Sequence, residues 1–99
     1  MSKYKFYKNK RTRFHLSLEI ESNSKEWKNM EMTSSPTNSG RYIRLKKNPG
    51  PSNKQAYIRK YICCDSIKTR GQLLKKYNLS EEDLIEIENF LANSRNKKS

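Results

Sequence analysis

The stretch RFHLSLEIE at residues 13–21 constrains the fold more than any other part of the chain. Its side chains alternate between apolar and polar without a break, the apolar ones being Phe14, Leu16, Leu18 and Ile20. Successive side chains of a β-strand point to opposite faces, so the pattern predicts a strand with one buried face. The solvent face would carry Arg13, His15, Ser17, Glu19 and Glu21.

Shorter apolar stretches predict three further strands, over residues 27–34, 41–47 and 56–64. Residues 65–68 either continue the last of these strands or begin a fifth. The clearest turn signal between strands is Asn48-Pro49-Gly50-Pro51-Ser52-Asn53, because Pro and Gly interrupt regular structure. Residues 1–12 alternate aromatic and basic side chains, which predicts either an edge strand or a flexible arm.

Residues 80–94 predict an α-helix. Ser80 is the expected N-cap, and the acids Glu81, Glu82 and Asp83 fall in the first turn, where they favour the positive end of the helix dipole. Residues 95–99 predict a disordered tail. The chain is therefore expected to form one domain over residues 1–99, with a β-sheet core over 13–69 and a C-terminal helix. This order predicts a mainly β fold, a small SH3-like, strongly curved or partly open barrel.

The net charge of +12 predicts a polyanionic partner. The charge is segregated, since residues 80–94 hold five acids and no base. A solvated surface on a Lys- and Asn-rich chain is the alternative explanation. A membrane partner is not expected, because the sequence lacks both a basic amphipathic helix and an apolar run near the ~20 residues that span a bilayer. The absence of a secretory signal pattern predicts a cytoplasmic protein.

The only two cysteines, Cys63 and Cys64, are adjacent. Neighbouring strand residues point to opposite faces, so these two are poorly placed for a disulfide, and they are interpreted as structural residues of a reduced protein. One His and two adjacent Cys do not form a zinc site, so no metal or cofactor is expected.

Arg13 and His15 are the residues whose types best suit chemistry on RNA. On a strand they would share one face, a guanidinium beside an imidazole. Cleavage of RNA without a metal needs a group that takes the 2′-hydroxyl proton and donors for the charge on phosphorus. Thr33 and Ser34 could supply hydroxyl donors from the neighbouring strand. The plainer interpretation is an exposed His and a polar strand end.

A basic surface with interspersed tyrosines suits single-stranded RNA, whose bases stack on aromatic rings while cations bind the phosphates. The plainer interpretation of the tyrosines is that they are ordinary strand residues. The candidate RNA-binding residues are Arg11, Arg41, Arg44, Lys46, Lys47, Arg59 and Tyr57.

The stretches RFHLSLEI, MEMTSS and CDSIKTRGQLLKKYNLSEEDLIEIENFL follow one another as similar motifs do in the MazF/PemK toxins of toxin–antitoxin systems, which the chain resembles. The resemblance implies an SH3-like barrel and a homodimer that cleaves single-stranded mRNA sequence-selectively without metal and is restrained by an antitoxin. It places the catalytic Arg on Arg13, with Arg11 as the off-register choice, and the catalytic hydroxyl on Thr33, with Ser34 beside it. The family's first strand and the Pro after its Arg are not matched.

Two other functions fit the composition. One is a non-catalytic, basic nucleic-acid-binding accessory protein of a phage or mobile element. The other is a protein-interaction or inhibitor module that binds an acidic partner. Cleavage of RNA, binding without cleavage, or neither would distinguish the three.

Overall fold

A computed structural model of the chain describes residues 4–13, 15–37 and 39–96; Phe14 and residues 97–99 of the predicted tail lie outside them. Within this part, strands alternate with short 3₁₀ helices at 10–12, 39–41 and 67–69, and a long helix closes the chain. The strands are β1 (Lys5–Asn9), β2 (His15–Ser22), β3 (Glu26–Thr33), β4 (Tyr42–Arg44), β5 (Tyr57–Arg59), β6 (Cys63–Ser66) and β7 (Arg70–Leu73), and the helix is α1 (Glu81–Asn96).

All seven strands belong to one antiparallel sheet in the order β4-β5-β3-β2-β1-β7, with β6 pairing beside one half of β3. The prediction of one strand over 56–64 is wrong, because the chain leaves the sheet after β5 and returns as β6 on another part of β3. Residues 5–9 form a strand with neighbours on both sides, β2 and β7, and not an edge strand.

The sheet is strongly curved. Strands β6 and β7 are separated by β3, β2 and β1, which in a flat sheet would place them about 19 Å apart. They are nevertheless joined by the three-residue 3₁₀ helix 67–69, which rises only about 6 Å. The two edges must therefore curl towards each other, and the predicted mainly β fold with a strongly curved, open sheet and a C-terminal helix is confirmed.

The hydrophobic core lies between one face of this sheet and α1. The strand residues Phe6, Leu18 and Met30 come from β1, β2 and β3 and have no exposed surface, as the alternation predicts. The buried apolar residues of this core are Tyr4, Phe6, Leu18, Met30, Ile43, Leu45, Ala56, Ile58, Ile87 and Leu91.

The opposite face of β1, β2 and β3 is also covered. Trp27 is fully buried there, with its indole N–H donating to the Thr69 hydroxyl at 2.9 Å and its ring edge-on to Tyr7. Ser17 on this face has no exposed surface, so the prediction that it faces solvent is wrong. The Ser17 hydroxyl accepts a hydrogen bond from the buried Asn9 side chain, while the curl brings the 3₁₀ helix 67–69 over Trp27 on the same face.

The first turn of α1 is tied to the chain after β4 by Asp83, which is fully buried. Its carboxylate accepts hydrogen bonds from the backbone N–H groups of Lys46 and Lys47 at 2.8 and 3.2 Å. The Asp83 N–H donates to the Ser80 hydroxyl, and that hydroxyl donates to the carboxylate at 3.0 Å. The predicted N-cap is confirmed, and the acid at the third helical position also fixes where α1 docks.

Within the described residues, no helix is both long and apolar enough to span a membrane.

Candidate nucleic-acid interface

Strands β4 and β5 carry alternating tyrosine and arginine side chains, of which Arg44 is exposed and Tyr42, Tyr57 and Arg59 are half-buried. Tyr42 pairs with Arg59 and Arg44 pairs with Tyr57, whereas the intervening pair of Ile43 and Ile58 is buried in the core. Cross-strand partners point to the same side of a sheet, so the four other side chains share the face turned away from the core. We call this surface the Arg–Tyr face; it consists of Tyr42, Arg44, Tyr57 and Arg59.

The arginines of the Arg–Tyr face have no carboxylate partner among the residues that the structure describes. The Arg59 guanidinium instead lies 5.1 Å from the centre of the Tyr61 ring, and Tyr61 is 57% exposed. Arg41 and Lys47, the flanking candidates, are also exposed. Arg41, Arg44 and Lys47 are therefore open to an external anion, and the half-buried Arg59 is partly so.

Two other predicted RNA-binding residues are engaged within the protein. Lys46 forms an ion pair with Glu82 at 3.0 Å, and that hydrogen bond raises the pKa of Lys46 above its ordinary value. Arg11 binds Glu31 through its terminal nitrogen at 2.9 Å and Asp65 through Nε at 2.7 Å. The bond to Glu31 is the main cause of a raised pKa of Arg11. An RNA phosphate could bind Lys46 or Arg11 only by displacing the carboxylates that these side chains already contact.

Arg11 closes a polar network on the covered face of the sheet. Asp65 accepts from the Asn29 side chain at 2.9 Å, and Asn29 in turn accepts from Asn9 at 3.4 Å. Asn9 also donates to Ser17 at 3.1 Å. Every buried side-chain N and O atom of the described residues has a hydrogen-bond partner. The network therefore stabilises the curled sheet, and Arg11 acts as its outer member.

The predicted reactive residues Thr33 and His15 lie at the edge of the Arg–Tyr face. Thr33, the last residue of β3, is paired with Tyr57. The β2–β3 pairing ends with Ser17 opposite Glu31, and His15 and Thr33 lie two residues beyond that pair on their strands. Thr33, Tyr57 and Arg44 form one row across three paired strands, and His15 lies beyond the last pair on β2. We call these four residues, His15, Thr33, Tyr57 and Arg44, the cross-strand row.

Arg13 and Ser34 lie beside this row but outside the strands. Arg13 follows the 3₁₀ helix 10–12 with a left-handed backbone, φ 57°, so the expectation that it shares a strand face with His15 is wrong. The cause is the 3₁₀ helix, which turns the chain before β2 begins. Ser34 follows β3, and the N–H of Ser35 donates to the Thr33 hydroxyl at 3.1 Å. Thr33 therefore accepts one bond and keeps its own proton to donate.

The two cysteines are unbridged, as predicted, but they differ in environment. Burial, and next the charge of Glu31, raises the pKa of the half-buried Cys63. Cys64 is exposed, which corrects its interpretation as a structural residue, and a hydrogen bond with Glu26 raises its pKa. In the folded protein both thiols are stabilised in the protonated form. Their contribution to the free energy of unfolding is therefore fully present below the thiol pKa of the unfolded chain. It is lost as the pH rises through the raised thiol pKa values of the folded protein.

Alkylation should report this restraint on Cys64. In a Cys63→Ser background, Glu26→Gln is expected to raise the rate of iodoacetamide labelling of Cys64 about twofold near pH 8, because more thiolate forms. Glu21→Gln, which also removes one exposed carboxylate, is the control. Mass spectrometry measures the labelling rates. Equal rates in the two variants would contradict a specific effect of Glu26.

Several residues that shape this site could not be recognised as its members from the sequence. Asn9, Asn29 and Asp65 are polar residues far apart along the chain, and only the sheet register brings them together. Among the described residues, no group of three His, Cys, Asp or Glu side chains is placed to hold a metal ion. No protein-family model, no curated protein and no solved structure matches the chain, so the interpretation of the site rests on its own geometry.

Proposed function

We propose that this protein binds single-stranded RNA on the Arg–Tyr face and cleaves it without a metal at the adjoining end of β2 and β3. The observation that carries the proposal is the cross-strand row, in which Arg44, Tyr57 and Thr33 are paired directly. His15 lies on β2 two residues beyond its last pair with β3. An RNA strand held on the tyrosines would therefore pass beside a hydroxyl and an imidazole.

Binding follows from the alternation on the Arg–Tyr face. A tyrosine ring offers a stacking surface to any unpaired base, and a neighbouring guanidinium offers planar donors to the phosphate that follows. Bases inside a duplex cannot stack on these rings, so single strands are preferred. The net charge of +12 adds an attraction that does not depend on sequence.

For cleavage, the 2′-oxygen attacks the adjacent phosphorus and the bond to the 5′-oxygen breaks, leaving a 2′,3′-cyclic phosphate and a 5′-hydroxyl. His15 takes the proton of the 2′-hydroxyl, and water returns a proton to the departing 5′-oxygen. Arg13 and the Thr33 hydroxyl donate to the oxygens on which charge builds. The scheme uses only side chains at this end of the sheet.

The test is a long single-stranded RNA incubated with the purified protein in excess EDTA. Discrete products are expected, and His15→Ala or Arg13→Ala should reduce the cleavage rate by a factor of about 100 or more. Thr33→Ala should reduce it about tenfold, because one donor is lost. Thr37→Ala, which removes an exposed hydroxyl beyond the strand, is the control. Products that persist in all four variants would contradict the assignment.

A second function, RNA binding without cleavage, is favoured by one observation. Arg11 is held by two carboxylates and Arg13 lies outside β2, so neither candidate catalytic arginine lies beside His15 on that strand. Intact RNA that is bound in a salt-sensitive manner would select this function, and the absence of binding would leave the protein-interaction module.

The sequence resemblance to MazF/PemK toxins supports a cellular role for cleavage. In this proposal the protein is a homodimeric growth inhibitor restrained by an antitoxin, a small acidic protein encoded beside it. Growth arrest on expression, relieved by His15→Ala, is the expected result.

A further inference from the structure

Next to the cross-strand row lies a cleft of about 180 Å³ between the end of β3 and the loop 48–55. Its polar lining includes Thr33, Ser34, Ser52 and Lys54, and the Tyr77 ring forms part of its wall. The volume is below the range of about 300–1,000 Å³ typical of pockets for drug-sized ligands. The cleft therefore suits one small unit, such as part of a single nucleotide.

The loop that forms the cleft is fixed by its own side chains. Asn48 accepts from the Gly50 N–H at 2.8 Å and donates to the Lys54 carbonyl at 2.6 Å. The Lys54 N–H donates to the Ser52 hydroxyl at 3.1 Å. Both backbone groups of Lys54 are thus held within the loop, so little conformational freedom of its backbone remains to be lost on binding.

The loop is also anchored to the chain before α1. The Asn78 N–H donates to the carbonyl of Pro49, which is buried, at 3.0 Å. Gly50 packs directly on Tyr77, since a Cβ at this position would lie 2.2 Å from a ring carbon. Only glycine permits this approach, and the contact keeps the cleft wall in place.

The Lys54 side chain is exposed and has no carboxylate partner among the described residues. We propose that the cleft binds one nucleotide of the RNA next to the nucleotide at Tyr57, with the Lys54 ammonium on its phosphate and the Ser34 and Ser52 hydroxyls within reach of its sugar. This inference rests on the proposed RNA binding and adds a second subsite on the other side of Thr33.

The experiment measures binding of fluorescent 2′-O-methyl hexanucleotides, which lack the attacking hydroxyl and stay intact. Between about 50 and 200 mM salt, Lys54→Ala should lower the slope of log affinity against log salt by about 0.7, as expected for one lost contact to a single strand. At fixed salt the affinity should fall about fivefold to tenfold. Lys54→Glu should weaken binding further. Lys25→Ala, with the same charge change in the turn between β2 and β3, is the matched control.

Three outcomes of this experiment distinguish the subsite from the proposed function as a whole. A change of slope with Lys54→Ala that is absent with Lys25→Ala supports the subsite. Equal slopes in the two variants overturn the subsite but leave RNA binding on the Arg–Tyr face intact. If the unaltered protein does not bind the hexanucleotides, the proposed function fails and the subsite fails with it.

Discussion

Replacement of Asp83 by alanine is expected to lower the free energy of unfolding by about 3 kcal/mol, as measured by urea denaturation. The carboxylate is fully buried and accepts from two backbone N–H groups, those of Lys46 and Lys47. Alanine would leave both without this partner and would also break the reciprocal cap with Ser80. The two hydrogen bonds are partly buried, so each is expected to contribute about 1 kcal/mol, and the lost cap costs about 1 kcal/mol more. The total is large for a domain of this size.

Glu81→Ala is the matched control, because it removes a carboxylate from the same helical turn at an exposed position. Only a weakened interaction with the helix dipole is expected there, about 0.3–1 kcal/mol. A loss in Asp83→Ala no larger than in Glu81→Ala would show that the tie between α1 and the chain after β4 contributes little. Asp83→Asn should be intermediate, since it keeps one acceptor oxygen and loses the charge.

Removal of both arginines of the Arg–Tyr face, Arg44→Ala with Arg59→Ala, is the second large expected effect. Two lost phosphate contacts should lower the salt slope for single-stranded RNA by about 1.4 and the affinity at moderate salt by a factor of about 30. Both side chains lack carboxylate partners within the described residues, so folding should be little affected. Fluorescence anisotropy against salt concentration measures both quantities.

The control is the pair Lys25→Ala with Lys68→Ala, which produces the same change in net charge. Both lysines are exposed and lie near each other, since the Ile67 N–H donates to the Lys25 carbonyl, at the end of β3 away from Thr33. An equal loss of affinity in the two double variants would mean that binding depends on net charge alone. It would remove the Arg–Tyr face from the proposed function.

Most of the fold could be predicted because it depends on local patterns. The alternation around Leu18 is visible in the sequence, and so are the turn residues after Lys47 and the cap at Ser80. The division of residues 56–64 into β5 and β6 could not be predicted. Both halves have strand-like composition, and the break depends on which parts of β3 are free to pair.

The candidate site was predictable in residue type but not in arrangement. The charge and the tyrosines predict a surface for RNA, and Arg44, Tyr57 and Arg59 do share the sheet face turned away from the core, where Arg44 is exposed and the other two are half-buried. The sequence does not distinguish free cations from paired ones. Arg11 forms ion pairs with Glu31 and Asp65. These ion pairs could not be predicted, because both acids are far from Arg11 along the chain.

By itself, the sequence determined that this chain forms half-buried β-strands followed by a capped C-terminal helix, with a strongly basic composition. These properties follow from side-chain periodicity, capping residues and charge, all of which act over a few neighbouring residues. The tertiary structure decided which polar residues are buried, such as Asn29, and which cations stay open to a ligand, such as Arg44. Both depend on strand register and on the curl of the sheet, which bring together residues that are distant along the chain.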